Sequence, residues 1–187
     1  YTIIRTTSLP ESQVLGSGTT LDSARLRSRL AEHAGLNPKN VHAYVIGEHG
    51  ESEFVPWSQA MVGTKSVSRI VNDYGDRFKK TDMDEIGAKV KNAAQEIIAA
   101  KQSTYYGIGM ALVRITKAIF GNENSILTVS SYLDGEYGQS NVYAGVPCIV
   151  GRNGVLGQLT LELTDEELSK MQNSCDILRQ YYKETNL

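Results

Sequence analysis

The sequence predicts an α+β domain of long helices and a block of strands, and three observations carry the prediction. The front of the chain has apolar residues at helical spacing, the middle switches to strand-length apolar runs, and a last helical pattern closes it. No βαβ alternation is present, and no GxGxxG motif opens a helix, which excludes a doubly wound sheet.

Taken in order, Gly16-Ser17-Gly18-Thr19-Thr20 reads as a loop in which Thr20 N-caps the first long helix. Leu21, Ala24, Leu30, Ala31 and Ala34 form that helix's apolar side, and Gly35 ends it. Asn37-Pro38 makes a turn, and residues 41 to 46 form a short strand stopped by Gly47. Asp82 and Glu85 form a capping box before a helix whose apolar residues are Ile86, Val90, Ala93 and Ile97. Residues 105 to 120, ended by Gly121, make one very long helix with this one, or a second helix joined near Gly107. From Ser125 the period changes, and residues 126 to 133 and 146 to 151 read as strands around a glycine-rich turn region. Asn153-Gly154 signals a type I′ hairpin leading into a strand over 155 to 163. Thr164 and Glu167 form a second capping box, and Leu168, Met171, Cys175 and Leu178 give the closing helix its apolar face.

At 187 residues, 41% hydrophobic and 21% charged, the chain has the size of one domain. A chain this long buries roughly 68–70% of its unfolded surface, so it needs neither disulfides nor a structural metal. Nineteen basic against 21 acidic residues leave a charge of −2. That balance excludes a strongly basic nucleic-acid binder and gives no general attraction to anionic membranes. No apolar run reaches the ~20 residues of a membrane span, and no signal peptide is evident. Cys148 and Cys175, outside any CxxC, read as free thiols in a reducing, cytoplasmic compartment. The opening Tyr1-Thr2-Ile3-Ile4 is the start expected of a chain entered partway through a larger polypeptide, or of a processed N-terminus.

Chemistry concentrates in two places. Gly47-Glu48-His49-Gly50 sets a histidine between glycines just beyond a strand, where it could present its ring to a ligand or stand idle in a surface loop. Asp22 and Arg25, three apart on the first helix, form either a plain surface ion pair or a divided tool. In the second reading Asp22 orients a histidine and Arg25 grips a carboxylate bidentately.

The run Ser17-Gly18-Thr19-Thr20-Leu21-Asp22-Ser23-Ala24-Arg25-Leu26-Arg27, followed by Gly47-Glu48-His49-Gly50, closely resembles the L-lactate dehydrogenases. Ser103-Thr104-Tyr105-Tyr106-Gly107-Ile108 is similar to that family's substrate-contacting helix, and the likeness runs through all 187 residues in order. The resemblance implies the C-terminal, substrate-binding domain, a mixed or antiparallel sheet with long helices. It also implies that the NAD-binding Rossmann half lies outside this chain, together with that family's mobile-loop arginine. In this reading His49 exchanges the proton, Asp22 is its carboxylate partner, Arg25 clamps the substrate carboxylate, and Thr104 and Ile108 border substrate and nicotinamide. The implied reaction interconverts pyruvate and L-lactate with NAD in a cytoplasmic homotetramer of fermentative glycolysis. Arg27 and His42 resemble the pair that binds the activator fructose bisphosphate in allosteric bacterial members. Read alone they are a solvated helix residue and a core histidine.

Two other readings stand beside this one: a malate or other L-2-hydroxy-acid dehydrogenase, and a non-catalytic module that assembles with partners or binds a sugar phosphate. Without a cofactor-binding half the chain is expected to be inactive and to expose apolar surface. Glu51 stands where the family usually has Asp. His33 reads as structural, Trp57, Tyr105, Tyr106, Tyr181 and Tyr182 as packing or interface residues, and Lys79-Lys80 as a solvated pair.

Overall fold

In the computed structural model, residues 1–73 and 80–185 are described, and Lys79, with the expected Lys79-Lys80 pair, lies outside them. A short helix α1 (Thr2–Thr6) and a 3-10 turn (Glu11–Gln13) precede the long helix α2 (Thr20–Ala34). Thr19, not Thr20, is the cap residue, and no side chain closes that end, because both threonines bond to other elements. The C-terminus matches expectation. Gly35 adopts φ 66°, and it and Leu36 return N–H groups to the last carbonyls.

The buried stripe of α2 differs from the expected one. It is Leu26, Leu30 and Ala31, extended at the N-terminal end by Asp22 and Ser23, while Ala24 is exposed. Polar residues can be buried there because they are paired. Thr19 Oγ1 donates to the Val45 carbonyl (2.6 Å), Val45 N–H donates to Ser23 Oγ (2.9 Å), and Thr20 Oγ1 donates to the Thr128 carbonyl (2.9 Å). These bonds fasten the start of α2 to two separate parts of the chain.

One part is a small antiparallel sheet of β1 (Val41–His42), β2 (Met61–Val62) and β3 (Lys65–Ser66), in that order. The expected strand over 41 to 46 pairs regularly only at β1, and beyond it Ile46 and Gly47 make single bridges to Phe54 and Gly145. Helices α3 (Val67–Asp73) and α4 (Lys80–Lys91) follow, and α4 packs on α2. Asp82 lies inside α4 and pairs with His33 (3.2 Å), so the expected capping box gives way to a link between helices. His33, expected to be structural, joins α2 to α4 through this pair. The long apolar stretch divides into α5 (Ala93–Lys101) and α6 (Tyr106–Phe120). The break comes at Gln102, in a left-handed conformation (φ 65°), rather than at Gly107.

The other part is the antiparallel sheet β4–β5–β6, with β4 (Ser125–Asp134), β5 (Ser140–Gly151) and β6 (Gly154–Gln158). Strand β5 starts six residues earlier than the apolar run suggests, since Gly145 lies within it. The hairpin is present, but only Gly154 has positive φ (91°), so the turn is not type I′. Strand β6 leaves the sheet after Gln158. Helix α7 (Asp165–Glu184) carries the predicted capping box: Thr164 Oγ1 accepts from Glu167 N–H (3.3 Å), and Glu167 accepts from Thr164 N–H (3.0 Å). Met171 and Cys175 are buried on its inner face, while Leu168 faces outward.

Two hydrophobic cores result. One joins α2, α3, α4 and the small sheet around Leu30, Val45 and Val67; the other joins the β4–β6 sheet to α6 and α7 around Ile46, Val146 and Met171. The adjacent residues Val45 and Ile46 belong to different cores, so the segment leading to His49 runs along the seam. Both cysteines are free and buried. Among the described residues no helix is long and apolar enough to cross a membrane. Truncating Leu30, fully buried in the first core, leaves a cavity that α2 cannot collapse around. Leu30→Ala is expected to lower unfolding stability by about 2–5 kcal/mol in urea titration.

Candidate active site

The loop from Gly47 to Glu53 is pinned at its base by paired bonds between Ile46 and Phe54 (2.9 and 3.1 Å) and between Gly47 and Gly145 (2.8 and 2.7 Å). Two glycines permit this approach. Gly47 has φ 96°, and a Cβ there would lie 2.5 Å from Ser174 Oγ. A Cβ on Gly145 would lie 2.7 Å from Thr19 Oγ1. Ser174 on α7 accepts from Glu48 N–H (2.6 Å), and Ser52 Oγ donates to the buried Glu48 carboxylate. Glu51 turns away from the histidine, its carboxylate accepting from Lys91 (3.2 Å) and Gln95 (3.1 Å). Glu51 thus ties the loop to α4 and α5.

So anchored, the loop brings His49 onto the first turn of α2. Nδ1 of His49 stands 2.8 Å from Oδ2 of Asp22, and Oδ1 of Asp22 receives Arg25 Nη1 at 3.1 Å. Asp22 is 3% exposed, Arg25 16% and the imidazole 54%. The carboxylate is therefore sealed in, while part of the ring remains open toward a cavity of about 390 Å³ bordered by residues 16–18, Ser130 and Tyr143. Contact with Asp22, then with Glu53, holds the imidazolium up to about 10 despite the opposing effect of burial.

Asp22, Arg25 and His49 are thus brought together. Thr104, in the α5–α6 connection, and Ile108, in the first turn of α6, are half-buried. Between them Gly107 abuts α2, where a Cβ would stand 3.1 Å from Leu21 and 3.8 Å from Arg25 Nη2. Arg27 is half-buried on α2 with Tyr44 and Arg114 in its field, and burial lowers the affinity of its guanidinium for the proton. His42 is exposed on β1, not a core histidine. Trp57 packs against the first core, Tyr105, Tyr106 and Tyr181 are exposed, and Tyr182 meets Tyr1 edge-on.

Sequence reasoning did not single out Glu53. Its carboxylate is 5% exposed and lies 3.5 Å from His49 Nδ1. Its place four residues after the histidine, in an acid-rich loop, was the available signal. Ser174 was missed as well, and nothing local marks it, because its partner lies 126 residues away.

Residues 19–186 match the family model for the lactate/malate dehydrogenase α/β C-terminal domain. The chain is 46% identical over 180 residues to L-lactate dehydrogenase 2 of a Bacillus cereus strain, covering 96% of this chain and 57% of that protein. It is 50% identical over 171 residues to L-lactate dehydrogenase of Bacillus velezensis, covering 91% and 54%. Among solved structures, a lactate dehydrogenase from a Medee basin deep-sea metagenome superimposes with a TM-score of 0.95 at 45% identity, covering 98% of this chain and 59% of the other. The ligand-bound minor L-lactate dehydrogenase of Enterococcus mundtii gives 0.90 at 44%, covering 94% and 56%. The chain spans a little over half the length of these relatives. By sequence and by fold it belongs to the lactate/malate dehydrogenase family, as that family's C-terminal domain.

Proposed function

We propose that this chain is the substrate-binding and proton-transferring part of an NAD-dependent L-lactate dehydrogenase, interconverting pyruvate and L-lactate. The supporting observation is the Arg25–Asp22–His49 constellation, one buried carboxylate shared by a guanidinium and an imidazole. The relatives at 46–50% identity are named L-lactate dehydrogenases, which favours this substrate over malate.

The chemistry follows from the geometry. With Nδ1 turned to Asp22, Nε2 is the nitrogen left for a substrate oxygen. Asp22 favours the charged ring, so His49 can give its Nε2 proton to the ketone oxygen as charge develops there. In the reverse direction the neutral ring takes the hydroxyl proton. Arg25 offers donors beyond the Nη1 that Asp22 occupies, and these clamp the substrate carboxylate and set the keto carbon beside His49.

The described residues contain no phosphate-cradling glycine loop, so the dinucleotide's phosphates belong to another part of the protein. Its nicotinamide end would be met by Thr104 and Ile108, on the turn that lies against Arg25. When bound, NADH would supply the hydride to pyruvate and NAD⁺ would accept it back from lactate. The outer face of α6, with Met110 (67% exposed) and Phe120 (79%), is covered by the cofactor-binding half or by other subunits of a cytoplasmic homotetramer. Arg27 and His42 serve fructose bisphosphate, for which clustered cations are needed.

The decisive experiment follows NADH absorbance with pyruvate. The 187-residue chain alone is expected to show no turnover. A polypeptide of full family length carrying it should oxidise NADH, faster with fructose bisphosphate. Oxaloacetate preferred to pyruvate would replace this reading by malate dehydrogenase, and turnover of neither would overturn it. In the active form Arg25→Lys keeps the charge but loses the planar fork, so kcat/KM for pyruvate should fall about a hundredfold. With His49 charged up to about 10, pyruvate reduction should hold steady through neutral pH and decline above that value. Lactate oxidation, which needs the neutral ring, should rise toward it.

A further inference from the structure

Asp22 is one carboxylate at the Nδ1 of His49, and a second carboxylate faces the same ring nitrogen. Glu53 is buried to 5% exposure, and its Oε2 lies 3.5 Å from Nδ1. Neither that oxygen nor Asp22 Oδ2 has a hydrogen-bond partner among the described residues, and each meets the imidazole as an ion-pair contact. The facing nitrogen and carboxylate oxygen atoms of Asp22, His49 and Glu53 fall within 4.8 Å of one another. Burying a carboxylate is costly unless a cation or donors compensate it. The group closest at hand is the imidazolium, with Lys91 of α4 adding attraction at longer range.

We infer that Glu53 is a positioning residue that acts through His49, holding its Nδ1 proton jointly with Asp22 and fixing the ring's orientation. With Asp22 alone, a ring flip sacrifices one charge contact at Nδ1. With two on the same edge, a flip would turn carbon toward both. The second negative charge also makes the ring give up its proton less readily. Burial and the nearby Asp22 push the Glu53 carboxyl upward while His49 pulls it down, as expected for two acids competing for one cation.

The other groups near this cluster leave its titration legible. Arg25 of α2 is a permanent cation, and the Glu48 carboxylate is engaged by Ser52. Tyr143 of β5 is pushed up to about 12 by burial, so it stays neutral while His49 titrates. Tyr181 of α7 borders the same cavity as the ring, and Lys91 faces Glu53 from α4.

The test titrates His49 by 15N NMR in the 187-residue chain, assigned with His33→Gln and His42→Gln. Glu53→Gln should lower the His49 midpoint by about one pH unit. Glu53→Asp, which keeps the charge one methylene farther back, should fall between it and the wild type. An unchanged midpoint in folded Glu53→Gln overturns the inference. Should that variant not fold, an unchanged midpoint in Glu53→Asp does the same. A second arm rests on the dehydrogenase reading: in the full-length form Glu53→Gln should move the alkaline limb of pyruvate reduction by the same amount and leave KM for pyruvate nearly unchanged. A KM effect with an unmoved limb would overturn it. The titration needs no turnover, so it stands or falls separately from the dehydrogenase reading.

Discussion

A carboxylate sealed from water at the head of a helix is the constraint on which this structure turns. Asp22 cannot remain charged and buried without cations, and it has two: Arg25 from its own helix and His49 from a loop 27 residues on. Neither contact carries much free energy alone. Their worth lies in the geometry they enforce, since an unpaired charge at this depth would be far more costly than either bond is favourable.

The surrounding fold supplies the depth. Thr19, Thr20 and Ser23 tie the start of α2 to Val45 and Thr128, satisfying backbone groups at the seam where two cores meet and no regular sheet continues. Gly47 and Gly145 let the histidine loop and β5 exchange bonds at a distance no Cβ would permit. Ser174 and Glu48 hold one side of the loop to α7, and Glu51 holds the other to α4 and α5. A loop anchored from three directions can carry a half-exposed ring without losing its orientation.

The two faces of α6 serve different ends. Its inner face, Ala111, Ile115 and Ala118, is packed; its outer face remains apolar, and its first turn lies against Arg25. A partner seated on that outer face would bear on the same helix whose first turn abuts Arg25. In the proposed enzyme α6 therefore links assembly to chemistry.

The sequence by itself determined what depends on neighbours along the chain: the helix ended by Gly35, the capping box at Thr164 and Glu167, the switch to strands after Ser125, and the Asp22–Arg25 spacing. Motif resemblance added His49, and the structure places it against Asp22. Misreadings fell where distant groups override local preference. Thr20 bonds to Thr128 instead of capping, Asp82 pairs with His33 inside a helix, and Gly145 lies within a strand because another backbone approaches it. Only the tertiary structure could decide that Glu53 shares the imidazole and that Ser174 anchors its loop. Those contacts arise from burial and cross-chain packing, which spacing along a sequence does not encode.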